Sequence, residues 1–425
     1  MVKAPRHSLL LWAWVLQLVL GPFYIFKSGL PQPADFLMAV LMVFVASGIF
    51  IRLPRAPDLY LAIGAFLLIV WGTNLFWFNL YFDQFFVMSS LFYIFNAGIL
   101  LCVVVLFSTG QPARVCRFTA YGILLAIVVE LAIMVTVPNF QGIRGVGTFN
   151  NPNQLGYWSI ISAACWLVIR GERRLDLFDV GVLTALGYLT SLSLSKAAMV
   201  SFMMLVVFAL VAHGLRGRWA TAVVGVLVLC LPILIIDPSV LGNRINAFFS
   251  DGTAALVVDR FDSVGKQQDD SLAGRGYDRI WLYPGHLLFG AGEGAFTRFE
   301  LSALKGQELH SSWGTILFAY GLPGLLAFLA ILWVVFRRAP MRYWSYFLPL
   351  ALYGLTHQGL RFSLMWVFFG LVYGVSRYVA VAALPGARVA GEGAGVMVAE
   401  EASDASYSDV PGERRVVQRA TGGSR

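Results

Sequence analysis

The sequence predicts an all-α integral membrane protein of about twelve transmembrane helices, with one long extracytoplasmic loop between helices 9 and 10. Three observations carry this. The chain is 58% hydrophobic and only 13% charged, with mean hydropathy +0.74, too apolar to be covered by charge as a soluble globule is. Apolar runs long enough to cross about 30 Å of hydrocarbon recur along nearly its whole length. Arginines gather in every second connection between those runs, the pattern by which topology is written into a sequence.

Taken in order, the first run, Ser8–Phe26, follows Lys3 and Arg6; no cleavage site with a soluble domain behind it appears, so it reads as an anchor. Phe36–Ile51 ends at Arg52 and Arg55, and Asp58–Trp77 and Phe85–Phe107 lead to Arg114 and Arg117. Thr119–Val137 and Leu155–Ile169 stop at Arg170, Arg173 and Arg174. Val180–Leu194 and Ala197–Ala212 are short and precede Arg216 and Arg218, and Trp219–Ile236 opens onto the long loop, 237–310. Ser311–Phe336 stops at Arg337, Arg338 and Arg342, and Tyr343–Leu355 and Phe362–Val381 complete a polytopic domain over 1–385. The alternate short connections hold only the isolated cations Lys27, Arg144, Lys196 and Arg361, so the arginine-rich set and both termini are expected in the cytoplasm. Residues 386–425, rich in Gly, Ala, Ser and charge, read as a disordered cytoplasmic tail.

Other classes fall away. The formal charge of +8 is dispersed in small groups between spans with no basic stripe, which argues against nucleic acid. Of the four cysteines, Cys102, Cys165 and Cys230 lie in apolar runs and Cys116 lies beside Arg114 and Arg117, with neither zinc spacing nor a disulfide framework. No HExxH and no nucleotide fingerprint appear, and Asp269 with Asp270 is a weak metal signal.

The cations that topology does not require are the candidates for chemistry. Arg144, Lys196, Arg275, Arg279, His310, His357 and Arg361 map to one membrane face, where guanidinium groups can bind phosphate oxygens bidentately; each alone could equally anchor its helix at the headgroup level. In "GRGYDRIWLYPGHLLFGAGEGAF", Gly274 to Phe296, a helix would set Arg275 and Arg279 on one face as a two-pronged anion clamp. "GAGEG" lacks the ending of a P-loop and reads as a tight turn re-entering the membrane face. In "ELHSSWGTILFAYGLPG", Glu308 to Gly324, Ser311 or Ser312 can cap a helix whose dipole keeps His310 neutral and able to take a proton. His357 is a second histidine of this kind, His286 reads as loop packing and His213 falls on the other side. Glu130 inside the fifth span is a costly carboxylate, expected either to pair with a cation such as Lys196 or to carry a proton in a transporter.

The segment "RGVGTFNNPNQLG", Arg144 to Gly156, resembles the arginine-led G-T-F-x-N-P-N-x-x-G loop of the O-antigen ligase and O-antigen polymerase superfamily. "GRGYDRIW", followed by a proline and "LFGAGEGAF", resembles that family's arginine, tryptophan and G-x-G signature, and "LHSSWGTILFAYGLPG" its histidine-led span with a later G-x-x-G. "SLSLSKAAMVSF" is similar to the start of a central span, with Lys196 where arginine is usual. These motifs fall in the family's order within 138–324. The resemblance implies a membrane-embedded GT-C-like glycosyltransferase of the bacterial inner membrane, acting at the periplasmic face on undecaprenyl-diphosphate-linked oligosaccharide without metal or other cofactor. It implies transfer to an acceptor glycan, in polymerisation of O-antigen or exopolysaccharide, or to lipid A core of lipopolysaccharide, among membrane lipids and beside chain-length or export proteins. On that resemblance Arg144, Arg275 and Arg279 would hold the diphosphate and His310 act as general base. Lys196, His357, Arg361 and Glu130 would support them, with Asn151 and Asn153 shaping the loop. A transporter of the same lipid-linked glycan is the rival; no clear internal repeat favours it.

Overall fold

The computed structural model describes residues 4–27, 29–46, 54–108, 111–137, 139–141, 144–213 and 271–379, all within one compact unit, Met1–Ala380. The expected ninth span, residues 237–270 with Asp269 and Asp270, and the tail 386–425 lie outside the described residues. Within them the chain is helical: α1 (Ala4–Leu20), α2 (Pro33–Ala46), α3 (Pro57–Tyr81), α4 (Phe85–Ser108), α5 (Pro112–Thr136), α6 (Pro152–Arg170), α7 (Leu177–Leu192) and α8 (Lys196–His213). Two short helices follow, α9 (Asp278–Leu282) and α10 (His286–Phe289), then α11 (Ser312–Phe336), α12 (Met341–Thr356) and α13 (Ser363–Gly374), which runs into a π-helical turn, Val375–Val379. The only ladder among the described residues is a two-residue antiparallel pair, β1 (Phe140–Gln141) with β2 (Arg144–Gly145).

Five helices, α3, α4, α5, α8 and α11, are long and apolar enough to cross a membrane, and α1, α2 and α7 are apolar but shorter. Each of the other eleven expected spans coincides with a helix. Local chemistry sets their ends. Proline opens α3, α5 and α6, where its missing N–H costs no intrahelical bond. Asn151 caps α6 by accepting from Asn153 N at 2.8 Å, and α7 begins with a reciprocal capping box between Asp176 and Asp179.

The helices share two ends. At one, Arg170 at the close of α6 pairs with Asp176 and Asp179, Arg342 with Glu172, and Arg337 with Asp58. His213, closing α8, takes Arg173 O at 2.8 Å and the Tyr346 hydroxyl at 2.6 Å at that same end. At the opposite end lie Arg144, the starts of α6, α8 and α11, and the close of α12. Among the described residues, the arginine-rich connections and the isolated cations are thus separated by the length of the helices.

Arg275 and Arg279 do not lie on one helix, so the shared face that a helix would have given them is absent. A 3₁₀ turn ends at Arg275, Gly276 takes φ 82°, and α9 starts afresh before Arg279. Beyond α10 the "GAGEG" turn does pack into the bundle. In α11, Gly321 is non-helical (φ 65°, ψ −171°) and Pro323 has no N–H, which frees the carbonyls of Phe318 and Ala319. Ala291 N and Gly292 N donate to those two oxygens at 2.9 and 2.7 Å. The break is nine residues into α11, roughly 13 Å along its axis. Irregular backbone at that depth persists because the two breaks satisfy each other.

Candidate functional site

Arg144 projects from β2 at the mouth of the bundle. Its Nε donates to Ser193 O at 3.0 Å and its Nη2 to Asn153 Oδ1 at 2.6 Å. Asn153 sits in the first turn of α6 and its carbonyl accepts from the Tyr353 hydroxyl at 2.9 Å. Tyr353 is stacked between Tyr157 and His357, with ring centroids 4.6 and 4.5 Å away. The loop carrying Arg144 is pinned from below by Glu130, fully buried in α5, whose carboxyl meets the Thr148 hydroxyl and, at 3.3 Å, its amide. Gly147, at φ 63°, leaves no room for a side chain: a Cβ there would lie 2.3 Å from Glu130 Oε2. Glu130 is therefore a support for the Arg144 loop, held through Thr148. Lys196 opens α8, half-buried at the same end.

The second half of the site is knitted onto the carboxyl end of α12. Arg275 donates to Thr356 O, and Tyr277 donates to Leu355 O at 2.6 Å, meeting the exposed carbonyls that form the negative pole of that helix. His310 N donates to Arg275 O at 3.0 Å, which fixes the histidine beside the arginine. Ser311 caps α11 by accepting from Gly314 N at 3.0 Å, and Ser312 N and Oγ both reach His357 O. His357 Nδ1 lies 3.0 Å from the Thr356 hydroxyl. Burial, and then the nearby charges of Arg275, His310 and Arg144, push His357 down to about 3. Arg144, Arg275, His310 and His357 thus share one electrostatic neighbourhood, although the four come from four separate stretches of chain.

Arg279 does not join them. Its side chain is 1% exposed; Nε donates to Ser302 Oγ at 3.3 Å and Nη2 to Gln307 O at 2.6 Å, with the guanidinium 4.9 Å from the Phe299 ring centroid. It is a core residue of the loop that presents Arg275, and it does not form a two-pronged clamp with Arg275. His286 packs on Trp77, Phe299 and Phe318, as loop packing requires.

Arg361 belongs to a neighbouring polar cluster that sequence reading missed. Its guanidinium pairs with Glu293 and, at 2.8 Å, with Glu308. Glu293 also accepts from the hydroxyls of Tyr93 at 2.9 Å and Tyr320 at 2.8 Å, while Asn74 Oδ1 takes its amide at 2.8 Å. One guanidinium serves two carboxylates, and the triply bonded, buried Glu293 holds it most closely. Burial therefore pushes the Glu308 carboxyl up to about 7 despite its ion pair. The available signal was a glutamate between two glycines in an apolar stretch, "GEG", with no sequence clue to partners more than 190 residues earlier.

Among the described residues, no three His, Cys, Asp or Glu side chains gather as a metal site. Fold and site together define an all-α membrane protein with a cationic, histidine-bearing cluster at one end of its helices. No family model matches the chain, and no curated protein matches it.

Proposed function

We propose that this chain transfers a glycan from a polyprenyl (undecaprenyl) diphosphate to an acceptor sugar hydroxyl at the periplasmic face of the bacterial inner membrane. The observation that carries the reading is the convergence of Arg144, Arg275, His310 and His357 at the end of the helices opposite the arginine-rich connections. The motif resemblance supplies the substrate class. In the reaction the acceptor oxygen bonds to the anomeric carbon, the bond from that carbon to the diphosphate oxygen breaks, and the diphosphate leaves with the electron pair. His310 takes the acceptor proton. Departure of a diphosphate needs charge stabilisation more than a proton, and fixed guanidinium groups provide it without reorganisation. Arg144 and Arg275 perform this, Arg279 holds the loop beneath Arg275, and His357, kept neutral, stacks on Tyr353 without adding charge.

Within this reading the polymerase is favoured over the ligase, because the Arg275 to Gly294 segment is more similar to the loops of exopolysaccharide-type members. The test offers purified wild type, in liposomes, a lipid-diphosphate-linked oligosaccharide with either further repeat units or lipid A core as acceptor. Lengthened glycan on repeat units is the expected product. Transfer to lipid A core alone would make the protein a ligase, and glycan that crosses the bilayer unchanged would make it a transporter.

A further inference from the structure

At the opposite end of the helices from the cationic cluster, a shallow recess lies where α3 begins and α11 and α13 end. Asp58, Arg337, Arg338, Tyr373, Ser376 and Arg377 line it. Three guanidinium groups face one carboxylate, an excess of two positive charges. Arg337 is committed to Asp58, and Arg377 to Tyr373 Oη at 3.0 Å and to Arg55 O at 3.3 Å. Arg338 lines the same recess. The Ser376 hydroxyl is buried within the lining and has no hydrogen-bond partner among the described residues, although a buried hydroxyl ordinarily has one. It sits on the π-helical turn, a distortion common at functional sites. A surplus of positive charge beside an orphaned donor is the chemistry of a phosphate site.

What lies just below the recess decides the source of that phosphate. Trp333, one turn before Arg337, is 61% exposed, and Leu61, one turn after Asp58, is 75% exposed. Side chains that bind a headgroup and apolar side chains that face hydrocarbon therefore follow one another along the same helix faces, with a tryptophan at the interfacial level. A free phosphate has no use for the second surface. We infer that the recess formed by Arg337, Arg338, Ser376 and Arg377 binds the phosphate of an anionic phospholipid, with its acyl chains against Trp333 and Leu61. This site is independent of glycan transfer.

The test uses the full chain in detergent, with bound lipid counted by native mass spectrometry and stability followed by melting, against phosphatidylglycerol, phosphatidylcholine and inorganic phosphate. Phosphatidylglycerol should be retained and raise the melting temperature, phosphatidylcholine should not, and Arg338→Gln should weaken retention about fivefold, the usual worth of one cation at an anionic surface. Ser376→Ala removes the hydroxyl without touching any charge and should weaken retention in the same direction. Equal binding of the two lipids, protection by inorganic phosphate as strong as by phosphatidylglycerol, or unchanged retention in both variants would overturn the assignment.

Discussion

Arg144, Arg275, His310 and His357 stand out in the sequence because topology does not call for a cation or imidazole where they occur, and the structure brings them together. The polar partners that hold the neighbouring cluster do not stand out, because a tyrosine or asparagine inside an apolar helix carries no mark of the carboxylate it will meet. Glu293 is the case in point: its partners come from α3, α4 and α11 and from Arg361. Glu293→Ala should destabilise the protein by about 3–5 kcal/mol by leaving Arg361 buried and short of a counter-charge, read as a lowered melting temperature in detergent. Two groups outside the helices predict opposite pH effects. Glu308, raised from 4.5 to about 7, holds a proton in the folded chain that the unfolded chain releases, so its contribution falls as pH rises through that window. His357, lowered from 6.5 to about 3, refuses a proton that the unfolded chain binds, so stability falls as pH drops below about 6.5. Melting curves across pH should show Glu308→Gln gaining on wild type as pH rises from about 4.5 to about 7, and His357→Gln gaining as pH falls from about 6.5. Curves parallel to wild type would contradict burial as the force that shifts either group.

Helices were legible from apolar runs and their flanking arginines, whereas breaks within them were legible only as glycine and proline. "GLPG" marks the interruption of α11, and "GAGEG" was readable as a turn, but nothing in either announces that the two interruptions bond to each other. The helix that would have set Arg275 and Arg279 on one face does not form, because Gly276 adopts a left-handed conformation that ends the 3₁₀ turn. The mutual contact has a sharp consequence. Gly290 has φ 87°, and a Cβ on it would come 2.3 Å from Ala319 O and 2.7 Å from Tyr320 Cα, both backbone. Gly290→Ala should therefore cost about 3 kcal/mol or more, since neither clash nor conformation can be relieved by a rotamer change. Gly285, five residues earlier, has φ −60° and nothing within 4 Å of its Cβ position, so Gly285→Ala should be neutral or slightly stabilising. Equal melting temperatures for the two variants would sever the turn from the α11 break.

At the scale of the molecule, charge among the described residues divides by end. Ion pairs of Arg170, Arg337 and Arg342 gather at one, and the Arg144 and Arg275 cluster at the other. The alternation of arginines had implied this division, and the packing of α6, α8, α11 and α12 realises it. Single cysteines in a cysteine-free background, placed at Arg174 and at Lys305, should react with a membrane-impermeant thiol reagent from opposite sides of sealed vesicles; labelling from one side alone would contradict the arrangement. The proposed transfer chemistry rests on that second cluster alone. The most direct measurement is glycan transfer from a lipid-diphosphate donor by purified protein, comparing wild type with Arg144→Ala, Arg275→Ala and His310→Ala, each checked for an unchanged melting temperature. Loss of about 100-fold or more in each variant is predicted, the usual consequence of removing a charge stabiliser or a general base. Full transfer by the three variants, from a wild type that is itself active, would place the chemistry somewhere else in the molecule.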